Sequence, residues 1–194
     1  MCATILCGVF AFYSIRKDNK TELDDSLCPT NSLPSSYDVI LLDISDSLNV
    51  TQKAFIKREL HKIKSDVGLH GKIAVYSVRD RLENQIYPAI SLCNPGRGEQ
   101  LSKWTANPQM AIKKWRSSFS SRLDSMVDTY LSDSIQPYSP IMETIQAVSV
   151  TFFPVKSSEN RPRNIYIVSD MLQHTPDYSH YKSGPPKFAE FKGT

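Results

Sequence analysis

The sequence predicts a three-layer α/β sandwich built on a mostly parallel sheet with one antiparallel edge strand. Two observations carry this. Val39 to Leu42 form an unbroken apolar run inside Y-D-V-I-L-L-D, the mark of a strand covered on both faces. A second apolar run, N-I-Y-I-V-S from Asn164 to Ser169, also ends in an aspartate, and segments of helical period separate the two.

The elements follow in order. After the first strand, Thr51 is a capping residue for a helix reaching about Ser65, with Ile56, Leu60, Ile63 and Val67 at helical spacing. Gly68 and Gly71 end it. Lys72 to Val78 predicts the second strand and Tyr87 to Cys93 a third. The connection Arg79 to Gln85 is too short and polar for a crossover helix, so these two strands pair antiparallel at a sheet edge. Asn107-Pro108 opens a helix whose stripe is Ile112, Trp115, Phe119, Leu123, Met126 and Tyr130, a core-packing pattern. Ser139-Pro140 repeats the start signal, and Ile141, Ile145, Val148 and Phe152 give the next buried face. From Met171 onward the chain is polar and proline-rich, without a further strand or helix of clear length.

Composition narrows the classes. With 194 residues, 40% hydrophobic and 22% charged, the chain suits one globular domain with residues left for a tail or linker. A net charge of +3 is too small to imply, by itself, a nucleic-acid or membrane-surface partner. The cluster Lys53, Lys57, Arg58, Lys62 and Lys64 reads as a solvated helix face, with no interleaved aromatics to suggest nucleic acid.

Residues 1–15 are apolar apart from Thr4, Gly8 and Ser14, and Arg16 and Lys17 follow at once. The segment is shorter than the roughly 20 residues of a full span, and it lacks the charge and cleavage pattern of a secretory signal. It is therefore a membrane anchor whose upstream residues are missing, a short membrane-associated segment, or a buried element. Residues 16–36 read as a linker, 37–173 as the domain, and 174–194 as a polar tail or the truncated remainder of the domain. Of the four cysteines, Cys2 and Cys7 lie in the apolar segment, whereas Cys28 and Cys93 flank prolines in loops. The second pair forms one disulfide in an oxidising compartment or stays reduced in the cytosol. Arg16 and Lys17 favour a cytoplasmic domain and a disulfide favours the opposite side, so the side of the membrane stays open.

Three places supply oxygens. Asp43, Ser45 and Ser47 leave the first strand at alternate positions, Ser139 opens a helix, and Asp170 leaves a later strand. The carboxyl ends of strands are where open α/β sheets hold ligands. Over residues 37–173 this pattern resembles the von Willebrand factor A family and its metal-ion-dependent adhesion site. D-x-S-x-S matches Asp43-Ile44-Ser45-Asp46-Ser47, the helix-opening hydroxyl matches Ser139-Pro140, and the strand-terminal aspartate matches Asp170. The resemblance implies a Rossmann-like doubly wound fold and a divalent cation that takes a carboxylate from a protein partner. It also implies further strands and helices after the second aspartate.

The chemistry agrees. Mg²⁺ wants octahedral oxygen ligation and keeps several waters. Ser45, Ser47 and Ser139 offer neutral oxygens, the last directly or through water, while Asp43 and Asp170 hold the coordinated waters. Asp46 is expected to face solvent or a lysine; turned inward it would favour Ca²⁺ or Mn²⁺. Two other classes compete. One is a metal-free structural domain in a membrane-associated complex, with Ser45 and Ser47 merely capping turns. The other is a metal-dependent hydrolase assembled from Asp170, His174, Asp177 and His180, which lack any fixed spacing. No P-loop, G-x-S-x-G or H-E-x-x-H is present, and the expectation is a binding module rather than an enzyme.

Overall fold

A computed structural model describes residues 21–78, 86–98, 107–132, 137–153, 160–176 and 178–183. The apolar segment 1–15, residues 16–20, the connection 79–85, Asp177 and residues 184–194 lie outside this set.

Strand β1 (Tyr37–Leu42) is buried along its whole length, as its apolar run requires. It pairs in parallel with β2 (Lys72–Ser77) on one side and β4 (Arg163–Val168) on the other. β2 in turn pairs antiparallel with β3 (Ile90–Cys93), with Val75 opposite Ile90. The result is a four-stranded mixed sheet in the order β3-β2-β1-β4, with the antiparallel strand at an edge. β3 is shorter than the expected Tyr87–Cys93, because Pro88 has no N–H to give the ladder and pairing starts beyond it.

Side chains alternate across the pleat and build two clusters. Ile40, Leu42, Ile73 and Val75 pack with Ile56 and Leu60 of α1 (Val50–Asp66) and with Trp115, Phe119 and Leu123. Val39, Leu41, Ala74 and Tyr76 pack with Val148 of α4 (Ile141–Thr151). Asp38, also buried, is satisfied at the lower end of β1 by Ser36 Oγ and Asn164 Nδ2, each at 2.8 Å.

α1 begins two residues earlier than Thr51 suggests. Asn49 and Gln52 form a reciprocal capping box: Asn49 Oδ1 accepts from the Gln52 N–H and Gln52 Oε1 from the Asn49 N–H, both at 2.9 Å. The expected Asn107-Pro108 start holds for α2 (Pro108–Trp115), where Asn107 Oδ1 accepts from the Gln109 N–H at 3.1 Å. A π-helical turn (Arg116–Ser120) then leads into α3 (Ser121–Ser132). The extra residue of that turn lets consecutive side chains, Phe119 and Ser120, both face inward. It also moves the buried stripe onto Val127 and Leu131, leaving Met126 and Tyr130 half-buried.

Ser120 explains a departure from the solvated reading of α1. The Lys64 side chain is only 2% exposed. Its ammonium is paired with Asp124 and donates to Ser120 Oγ at 3.1 Å, which ties α1 to α3. A buried ammonium needs such a partner.

Residues 21–36, in the stretch read as linker, fold against the sheet. Asp24 Oδ1 accepts from the N–H groups of Ser26 and Cys28, both at 2.9 Å, and Cys28 is disulfide-bonded to Cys93 on β3. The bond closes a separation of 65 residues. Such a loop is predicted to contribute about 2–4 kcal/mol by restricting the unfolded chain. Cys28→Ser, or reducing agent on the parent protein, is therefore expected to lower the urea midpoint accordingly; an unchanged midpoint would contradict a formed bond.

Candidate functional site

The site lies where β1 and β4 end together. Parallel register sets Leu42 beside Val168, so the residues that follow, Asp43 and Ser169-Asp170, leave the sheet side by side. The Asp43 N–H still bonds the Val168 carbonyl at 2.9 Å, which continues the ladder one step and fixes the direction of the Asp43 side chain.

Asp43 is 7% exposed. Its Oδ2 accepts hydrogen bonds from Ser139 Oγ at 2.6 Å and Ser169 Oγ at 2.8 Å. Its Oδ1 is buried and has no hydrogen-bond partner among the described residues. Most buried polar atoms in folded proteins are satisfied, so an orphaned carboxylate oxygen at a strand end marks a place where a donor or a cation belongs.

Ser139 does not cap the helix that follows. α4 starts at Ile141, and no side chain of the residue before it bonds the first turn. Ser139 is instead buried, bridged through its backbone to His174, and its hydroxyl proton is committed to Asp43. What remains free on that oxygen is lone-pair density, the form in which a hydroxyl serves a cation. The cap comes from Gln173, whose Oε1 accepts from the Met142 N–H at 3.1 Å while its Nε2 donates to Glu143 at 2.7 Å.

Asp170 is exposed and held by its own turn. Oδ1 accepts from the Leu172 N–H at 2.8 Å, and the phenol of Tyr181 reaches Oδ2 at 3.4 Å. Met171 takes a left-handed φ of 62° there, a conformation unusual for a side chain of its size. Burial, followed by the charges of Asp170 and Asp46, raises the Tyr181 phenol above its ordinary range.

Ser45 is half-buried and Ser47 exposed, in the loop between β1 and α1. Both line a groove of about 640 Å³ together with Asp43, Asp46 and Asp170, and among the described residues no basic side chain lines it. Asp46 is solvent-exposed as anticipated, yet it also borders this groove and a smaller hollow of about 210 Å³ beside Tyr138, His174 and Tyr181. Its charge therefore belongs to the site.

All five expected residues thus occur at one end of the sheet. Asp43 and Ser139 are in direct contact, whereas Ser45, Ser47 and Asp170 share the groove with Asp43. The sequence reading missed Ser169, whose S-D step next to Asp170 was the available signal, and Gln173. Among the described residues no three His, Cys, Asp or Glu side chains converge as a metal cluster, so any cation here depends on hydroxyls. Of the residues in the hydrolytic alternative, His174 Nδ1 is bonded to Ser179 Oγ at 2.7 Å, His180 lies against the Tyr178 ring with its Nδ1 buried and without a hydrogen-bond partner among the described residues, and Asp177 lies outside them.

Ser169→Ala removes one neutral donor from a buried carboxylate. It is expected to cost about 1.5–3 kcal/mol by urea unfolding, since hydrogen bonds to charged groups lie in that range. A loss under 0.5 kcal/mol, in the range of an ordinary surface change, would mean the contact has no weight.

Compared with models of protein families the chain matches none, and no curated protein matches it.

Proposed function

We propose that the chain is a divalent-cation-dependent protein-binding module with a three-layer fold of von Willebrand factor A type. The single observation that carries this reading is the orphaned Asp43 Oδ1, buried beside hydroxyls whose protons are already spent on the other oxygen. Ser45, Ser47 and Ser139 would supply neutral oxygens, and Asp43 and Asp170 would hold the cation's waters. Mg²⁺ fits this set; the nearness of Asp46 adds negative charge and keeps Mn²⁺ and Ca²⁺ in play. With few anionic ligands the cation stays electrophilic and offers a partner's carboxylate a binding position.

The membrane-associated placement rests on the apolar residues 1–15. Among the described residues no helix is long and apolar enough to cross a membrane. The Cys28–Cys93 bond supports an oxidising location for the domain.

A metal-free structural domain is the competing reading, and it too has an observation behind it: Asp43 Oδ2 is satisfied by Ser139 and Ser169 without any cation.

Millimolar Mg²⁺ separates the two readings. It is expected to raise the melting temperature of the parent protein, since a ligand at 100 times its Kd adds about 2.7 kcal/mol. It should leave Asp43→Asn, which keeps an acceptor for both serines, unmoved. An identical or absent shift in both proteins would favour the metal-free domain. Pulldown with and without EDTA, read by mass spectrometry, then identifies the partner.

A further inference from the structure

The two edges of the sheet are treated differently. At β3 the Cys93 N–H points outward and bonds the Ser26 carbonyl at 2.8 Å, and the disulfide to Cys28 holds that segment in place. At the other edge stands β4. The Tyr37 N–H bonds the Pro162 carbonyl and the Asp43 N–H bonds the Val168 carbonyl, each at 2.9 Å, so the even-numbered residues of β4 face β1. Backbone groups alternate along a strand, and Arg163, Ile165, Ile167 and Ser169 therefore turn theirs away from the sheet. Among the described residues no backbone bond from another segment reaches Ile165 or Ile167.

Folded proteins blunt an open edge with lysine, proline, a bulge or a cover. Between Asn164 and Val168, β4 carries no charge and no proline. Ile165 packs against one core cluster, Tyr166 and Val168 against the other, so both apolar layers run out to this edge. Ile167 is 36% exposed there. Such an edge takes a further strand.

Charge and register select which strand. Arg161 and Arg163 stand at the amino end of β4 and the exposed Asp170 just past its carboxyl end. An antiparallel neighbour of the same sequence sets base beside acid at both ends; a parallel one would set like beside like. A two-fold axis at Tyr166 places Ile165 opposite Ile167 of the second copy and Arg163 opposite Ser169, next to Asp170. It engages all four outward-facing residues, whereas an axis at Ile165 leaves Ser169 beyond the pairing and one at Ile167 carries Arg163 past the strand end.

We propose that β4 pairs antiparallel with β4 of a second copy about a two-fold axis at Tyr166, joining the two sheets into one. The proposal is independent of the cation reading, and it leaves the two candidate sites at opposite ends of the joined sheet.

Sedimentation velocity of the full chain across the micromolar range is expected to show a species of twice the 21.9 kDa chain mass. Ile167→Lys sets a charge opposite Ile165, and Arg163→Glu sets acid beside Asp170. Each is expected to weaken the dimer at least about tenfold, because a two-fold contact suffers each change twice; circular dichroism confirms that the variants are folded. Tyr166→Cys reads the register. Across the axis its Cα meets its own counterpart at about 4.5 Å, within disulfide reach, so mild oxidation should link residue 166 to residue 166 in peptide maps. Asn164→Cys, opposite Val168, should not link to itself. A monomer at every concentration would overturn the proposal and give the edge to a strand of another kind. So would a dimer indifferent to both charge variants, or self-linkage at 164 as efficient as at 166.

Discussion

A buried carboxylate served only by neutral donors is an expensive arrangement, and the upper end of this sheet is organised around one. Asp43 leaves β1 at the centre of the sheet and receives Ser139 from the turn before α4 and Ser169 from the end of β4. Two hydroxyls drawn from positions 96 and 126 residues away therefore meet on one oxygen. Removing the charge from water costs several kcal/mol, which those two bonds offset in part. The other oxygen, Oδ1, keeps an unspent demand for positive charge or a donor. Everything proposed about function follows from that demand.

The surrounding structure keeps the demand in place. The parallel register aligns the ends of β1 and β4. The bridge between Ser139 and His174 brings the chain after Asp170 back across the site, where Gln173 caps α4 and Tyr181 reaches Asp170. Residues 171–176 and 178–183 thus fold without a long element among the described residues, because they borrow hydrogen bonds from α4 and the strand ends. The short helix among them, α5 (His180–Ser183), is a single turn.

The parts legible in the sequence were those fixed by local pattern. The unbroken apolar run of β1 gave its burial on both faces, and the short polar connection after β2 gave the antiparallel edge pair. Asn107-Pro108 announced α2 because cap and proline are adjacent. What escaped depended on distant partners. Lys64 looked like one more surface lysine until Asp124 and Ser120 met it, and the π-helical turn that presents Ser120 leaves no signature in the spacing of apolar residues. Ser139 carried a helix-start pattern yet spends its hydroxyl on Asp43. The five candidate residues could be placed at one end of the sheet from motif and strand position; that Asp43 is bonded by Ser169, and that Asp46 borders the groove, required the fold.

The central claim is that Asp43 and the hydroxyls around it form a cation site. Crystals of the full chain grown in millimolar Mn²⁺ test it most directly through an anomalous difference map. The account predicts a single strong peak at the ends of β1 and β4, within coordination distance of the Ser45, Ser47 and Ser139 hydroxyls and facing Asp43 Oδ1. A map with no peak there, and Asp43 Oδ1 bonded to an ordinary water, would contradict it.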